Sequence, residues 1–330
     1  DNSTFVNLTN PATMYWLENE QLNVYFDNIV FGKLFQKRSD FYCSAFSHRG
    51  RFLEDKFRAA PYDEFQIKIK AENQNGLSEK YTTVKTAPLT NGNGVTRKIL
   101  AIGDSTIANG YMLYKIKEKF ATDVMNVDFV GTELDNTVLH EGHSGWAYSN
   151  FNTNFAGNPF WNSGISAFDL SYYLTQTSQT LGANDWVFIQ LGINDLFPTS
   201  YLEPSLDVDA RILSMQNDLT AMITSVHSHN ADIRIAIAIT IPPAISQDAT
   251  GNYDIATNPF NSAKYSLEYY IKKGLVRWWN YLLETYDNAT MAGAKIYLVP
   301  TNICVDRTNN FPTTSQQIDA INATMVDVQN

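Results

Sequence analysis

Lys98-Ile99-Leu100-Ala101-Ile102-Gly103-Asp104-Ser105-Thr106 is the stretch that decides how this chain folds. Four apolar residues in a row, then Gly-Asp-Ser, then a periodic run from Tyr111 to Phe120 read as a buried strand that turns directly into helix. In that run Met112, Leu113, Ile116 and Phe120 fall at helical spacing, while Lys115, Lys117 and Lys119 solvate the other faces. The same alternation recurs downstream. Further apolar strands are predicted at Val127 to Val130, Trp186 to Leu191, Ile233 to Ile241 and Lys295 to Val299, with helices over Asp207 to His229 and Ser262 to Tyr286. Strands separated by helices predict an α/β fold on a parallel five-stranded sheet, a flavodoxin-like layer.

Upstream the rhythm differs. Asn23 to Phe26, Asp40 to Cys43, Glu64 to Lys70 and Lys80 to Val84 are short strand candidates, and the third alternates apolar and charged residues as a half-buried strand does. Asn75-Gly76 between the last two is a hairpin signal. We therefore expect a small β-sandwich over residues 1–90 and an α/β domain over 96–330, joined by the Gly- and Asn-rich crossing from Pro88 to Val95.

The 330 residues are 44% hydrophobic, enough to bury a sizeable core. A formal charge of −10 argues against nucleic acid or an anionic membrane surface as partner, since a phosphate backbone is met by a basic face. No stretch reaches the ~20 apolar residues of a membrane span, and the N-terminus lacks the basic and apolar regions of a signal peptide. Asp1 and Asn330 read as the ends of a processed chain or of a piece of something longer. Cys43 and Cys304, the two cysteines, offer neither a metal-ligand spacing nor a disulfide framework, and we expect two buried thiols. None of the five histidines makes a metal motif.

The chemistry concentrates in three turns. Ser105, at the end of the first strand, lies at the carboxyl edge of the sheet, where open α/β folds bind ligands; it reads equally well as a nucleophile or as a helix cap. His140-Glu141-Gly142-His143-Ser144-Gly145-Trp146 follows the second strand, and a glycine N–H there can approach a substrate carbonyl closely. Gln190-Leu191-Gly192-Ile193-Asn194-Asp195 follows the third, so the Asn194 amide stands at the same edge. A hydroxyl, a backbone N–H and a carboxamide converging there are what an acyl-transfer centre needs.

Gly103-Asp104-Ser105, the glycine of Ser144-Gly145-Trp146 and Gly192-Ile193-Asn194-Asp195, in that order, resemble the first three sequence blocks of the SGNH (GDSL-type) hydrolases. The resemblance covers about Lys98 to Asn330 and implies a three-layer α/β/α fold. It implies Ser105 as nucleophile, with its own N–H, that of Gly145 and the Asn194 amide as oxyanion hole, and no cofactor or metal. The family's fourth block, an Asp-x-x-His that supplies the general base, is not among these residues. The chain reads as stopping a few residues short of it, with Asp327 as the acidic candidate to orient the base, or with Asn330 in the acid's position if the histidine comes three residues after it. His143 is the local alternative as base, although a substrate contact or a supporting role suits it better.

Aromatic residues near this edge, Trp146, Tyr148, Phe151, Phe160 and Trp161, suit a sugar face or serve to staple a long loop to the core. We assign His143, Trp146 and Trp161 to substrate binding. The resemblance points to a carbohydrate O-acetylesterase acting on an acetylated glycan outside the cell, as a secreted, surface or virion-associated protein, with a homo-oligomer or larger assembly as a possible setting. The alternative is a non-catalytic glycan-binding or structural module that kept the fold and lost its base.

Overall fold

In a computed structural model of the chain, residues 7–18, 20–31, 38–43, 48–49, 52–56, 64–73, 76–122, 125–196, 206–242, 274–307, 313–316 and 325–328 are described. The protein is mixed α/β, and its largest sheet contains all five expected strands: β1 (Thr96–Gly103), β2 (Asn126–Val130), and, beyond two further strands named next, β5 (Trp186–Gln190), β6 (Arg234–Ala238) and β7 (Ile296–Val299). These five run parallel in the order β2-β1-β5-β6-β7. The chain leaves β1 to one side and comes back on the other, so the strand order reverses at β1. Such a reversal opens a crevice beyond the carboxyl ends of the flanking strands. Ser105 follows β1 immediately.

Two strands were not anticipated. β3 (Glu133–Asp135) and β4 (Val138–Gly142) pair antiparallel, and β4 then joins β1 in parallel through Ile102 with Glu141 and Gly103 with Gly142. The edge of β1 is thus shared, with β2 along Thr96 to Leu100 and β4 at its carboxyl end. The segment His140–Gly142, expected in a polar turn, is strand; the turn proper begins at His143.

The period-2 alternation of the strands sends side chains to both faces. Leu100, Ile102, Val187, Ile189, Ile235 and Ile237 join one apolar cluster with helices α4 (Leu170–Thr177), α6 (Leu206–His229) and α7 (Val276–Tyr286), labelled after α1 (Ser105–Ala108), α2 (Tyr111–Thr122), α3 (Tyr148–Phe151) and α5 (Ile193–Leu196). Ala101, Val127 and Phe129 face the other way, against Ile107 of α1 and Leu113 of α2. Trp278 and Trp279, both fully buried, anchor α7; truncating either ring would cost roughly 3–5 kcal/mol. The helix expected over Ser262 to Tyr286 is observed as α7; residues 262–273 lie outside the described ones.

In the front part, Thr13–Leu17, Gly76–Ala87, Glu64–Asn73 and Arg38–Cys43 form a four-stranded sheet, and Gln21–Tyr25, Phe52–Lys56 and His48–Arg49 a three-stranded one. The expected hairpin is present, with Asn73 paired to Gly76; residues 74–75 lie outside the described ones. Val24 from one sheet and Ile67, Ile69 and Val84 from the other share one apolar cluster. The chain crosses between the two parts more than once. Ile303, after β7, packs into the front cluster; Phe31 enters the main core and meets Trp279 edge-on at 5.7 Å; the Asn28 amide donates to the Val305 carbonyl at 2.8 Å. Cys304 lines the front cluster, its thiol pushed up to about 12 by burial; the Cys43 side chain lies outside the described residues. Among the described residues no helix is long and apolar enough to cross a membrane.

Candidate active site

The turn after β1 is built by Asp104, not by Ser105. The buried Asp104 carboxylate caps α1, accepting from the Thr106 N–H at 2.9 Å and the Thr106 hydroxyl at 2.8 Å. Burial raises the Asp104 pKa and these two donors pull it back. The capping role is therefore filled, and Ser105, the first helical residue, is exposed. Its N–H belongs to the first turn, whose amides have no partner within the helix. Gly103 is required by close approach, since a Cβ there would meet Ile107 Cγ1 at 2.2 Å and the Gln190 carbonyl at 2.8 Å.

The second turn runs from His143 to Trp146. Trp146 N–H donates to the His143 carbonyl at 3.1 Å, and Gly145 takes φ +80, the left-handed conformation that the third position of a type II turn demands. A Cβ on Gly145 would meet nothing within 4 Å, so backbone conformation rather than packing selects glycine. The third turn leads into α5, where Asn194 is half-buried and Asp195 buried.

Hydrogen bonds lace these turns together. His143 N–H donates to the Gly103 carbonyl at 2.9 Å, joining the second turn to the first. The Gln190 amide at the end of β5 donates to Thr106 Oγ1 at 2.9 Å. Asn194 Nδ2 donates to the Trp146 carbonyl at 3.0 Å, which uses one of its two N–H groups. Asp195 accepts from Tyr148 N–H at 3.1 and 3.2 Å, through its two oxygens. The segments carrying Ser105, Gly145 and Asn194 are thus brought to one end of the sheet and tied to each other.

His143 sits under the second turn. Its Nε2 lies 3.2 Å from Glu141 Oε2, and its ring stacks on Trp146 at 4.1 Å between centroids. Sequence reasoning passed over Glu141, which is completely buried and also accepts from Tyr173 and Thr132. Tyr148, Phe151 and Phe160 are fully buried core residues rather than exposed rings. Asn158 staples their loop, donating to the carbonyls of Asn150, Phe151 and Thr153 and accepting from Phe160 N–H. Trp146 and Trp161 remain partly exposed, the latter in a small hairpin with Phe168. Phe155, which the sequence did not single out, is 43% exposed and meets Trp146 edge-on at 5.2 Å. Asp327 lies in a strand, Met325–Val328, paired with Thr313–Gln316 and not with the main sheet; its side chain and Asn330 lie outside the described residues. Among the described residues no cluster of three or more His, Cys, Asp or Glu side chains is arranged to hold a metal ion. A cavity of about 720 Å³ lined by Ile99, Trp186 and Arg234 opens near the amino ends of the strands, away from these turns.

Burial pushes the Asp195 carboxyl up to about 7; the Tyr148 N–H lowers it, and Asp218 raises it further. The folded protein therefore holds a proton that the unfolded chain releases above about pH 4. Stability is expected to fall as pH rises from about 4 to about 7, by up to a few kcal/mol, and to level off above. Asp195→Asn, which keeps an acceptor for Tyr148, should flatten that slope in melting temperature measured against pH. Parallel curves for the two proteins would refute the assignment.

No family model and no curated protein matches the chain. Among solved structures it is similar to a protein proposed as a platelet activating factor from Streptococcus pneumonia, at 19% identity over 66% of this chain and 72% of that one, with a TM-score of 0.33. It is also similar to a proposed α-galactosidase from Bacteroides fragilis, at 9% identity over 71% of this chain and 52% of that one, TM-score 0.23. A sialyltransferase from Photobacterium damsela matches at 10% identity over 80% and 60%, TM-score 0.21. The chain spans little more than half the length of the last two. Likeness at this level assigns neither fold family nor chemistry.

Proposed function

We propose that this chain is a serine ester hydrolase of the SGNH type, a carbohydrate O-acetylesterase with a flavodoxin-like three-layer catalytic domain behind a β-sandwich module. The observation that carries the reading is the lacing of three turns at the strand-order reversal, with Asp104 rather than Ser105 capping the helix. In this reading Ser105 Oγ attacks the ester carbonyl and passes its proton to a histidine base. The carbonyl oxygen, now negative, accepts from the N–H groups of Ser105 and Gly145 and from the second N–H of Asn194. Collapse expels the sugar hydroxylate, which takes the proton from the base, and water then releases acetate from Ser105 by the same steps in reverse roles. The reading requires a histidine base, with Asp327 the acidic candidate to orient it; these 330 residues contain no Asp-x-x-His block. His143 is already committed to Glu141 and Trp146, which suits support of the turn better than proton transfer.

Trp146 and the exposed Phe155 support a flat sugar as the alcohol half of the substrate. Ser144, next to Gly145, and Asn154, next to Phe155, are exposed and polar. The protein is expected to hydrolyse p-nitrophenyl acetate and to free acetate from an acetylated polysaccharide, and to turn over the palmitate ester about 100-fold more slowly, because the loop following Gly145 is rich in Asn, Ser and Thr rather than in the long apolar side chains that would repay the desolvation of a long acyl chain. A preference for palmitate would overturn the substrate class. Glycan binding by the intact protein without hydrolysis of any ester would favour the non-catalytic reading.

A further inference from the structure

Glu141 is a carboxylate buried within the protein core, two residues before the turn that carries Gly145. Buried anions persist where donors satisfy them, and each donor here comes from a different element. Oε1 accepts from Thr132 N–H at 2.6 Å and from the Tyr173 hydroxyl of α4 at 2.7 Å. Oε2 faces His143 Nε2 at 3.2 Å. A carboxylate can only accept, so His143 carries its hydrogen on Nε2. The ring so fixed is the floor on which Trp146 stacks, with 20° between the planes. The His143 backbone holds the same residue, since its carbonyl accepts from Trp146 N–H at 3.1 Å. Trp146 in turn offers its own carbonyl to Asn194 Nδ2 at 3.0 Å.

We propose that Glu141 is a positioning residue that sets two of the three oxyanion donors at once. It does so through the His143 ring, which fixes the turn bearing the Gly145 N–H, and through the Trp146 carbonyl, which fixes the Asn194 amide. The proposal rests on the esterase reading for its catalytic meaning, while the mechanical link from Glu141 to Trp146 is testable without it. In Glu141→Gln the side-chain carbonyl still accepts from Thr132 and Tyr173, but an amide N–H then confronts His143 Nε2–H. The ring must give up that hydrogen or move. In His143→Phe the stack on Trp146 is kept and the donor to Glu141 is removed.

The two full-length variants and the wild type are compared by amide hydrogen exchange and by hydrolysis of p-nitrophenyl acetate. The Trp146 amide is expected to exchange about tenfold faster in both variants, with amides of the central strand β5 unchanged. Turnover is expected to fall about tenfold to a hundredfold with KM within about twofold, because the donors meet the transition state and not the ground state. A side chain that merely supported the fold would instead loosen β5 along with the turn. Wild-type exchange and turnover in His143→Phe would overturn the proposal; if Glu141→Gln alone behaves as wild type, the ring having moved its hydrogen to Nδ1 and accepted from the amide, or if it loses protection in β5, His143→Phe decides. A wild-type protein that hydrolyses no ester would end the esterase reading, and the Trp146 exchange rates would still show whether Glu141 holds the turn.

Discussion

Replacing Ser105 with alanine is expected to lower kcat/KM for p-nitrophenyl acetate by about 10⁴–10⁶-fold in the full-length protein while leaving its melting temperature nearly unchanged. The two halves of that expectation come from one local arrangement. The cap of α1 is the Asp104 carboxylate, bonded to Thr106 through both its N–H and its hydroxyl. Ser105 is exposed at the first helical position, where alanine is a better helix former, so the change in stability should stay within about 0.5 kcal/mol. Had Ser105 been the cap, its loss would have cost about 1 kcal/mol and confused activity with folding. What survives in the variant would be the acceleration supplied by binding and by the oxyanion donors alone. Equal rates for variant and wild type, with both folded, would remove the nucleophile from the mechanism.

Asn194→Ala is expected to lower turnover by about 10²–10³-fold, with KM little changed, as loss of one oxyanion donor does. The amide has two N–H groups. One is bound to the Trp146 carbonyl, and the other is the proposed donor to the developing charge. The substitution removes both, so part of the effect could come from a loosened second turn. Stability separates the two contributions, because the lost internal hydrogen bond is worth only about 1 kcal/mol. Asp195 still ties this turn to Tyr148 in the variant. A fall in stability of several kcal/mol with a proportionate loss of activity would mean that Asn194 is a strut, and a turnover within about threefold of wild type would exclude it as a donor.

The parts of this protein that were legible in the sequence are those governed by local pattern. The apolar runs of β1, β5 and β6 stand out because side chains on both faces of each strand are packed, and the helical spacing of Met112, Leu113 and Ile116 marks the single face of α2 that packs on the sheet. β4 was missed because its sequence, Val138-Leu139-His140-Glu141-Gly142, places two titratable residues where a buried strand is expected to be apolar. Glu141 is tolerated there through Tyr173, Thr132 and His143, and the tyrosine lies 32 residues away. No local pattern carries that information. The burial of Tyr148, Phe151 and Phe160 depends likewise on a fold-back that Asn158 secures through backbone carbonyls. The three turns were recognisable as polar interruptions after strands, but their mutual bonding, from Gly103 to His143 and from Trp146 to Asn194, appears only once the strand order reverses at β1.

Phe31 reaches into the main core beside Trp279, and Ile303 and the Val305 carbonyl reach back to the front sheets. The N-terminal part is therefore no interchangeable cassette. Grafting another module ahead of Lys98 would leave the place of Phe31 beside Trp279 empty and Ile303 without its apolar bed, so a working chimera has to carry Phe31 and the residues that cover Ile303 across the splice.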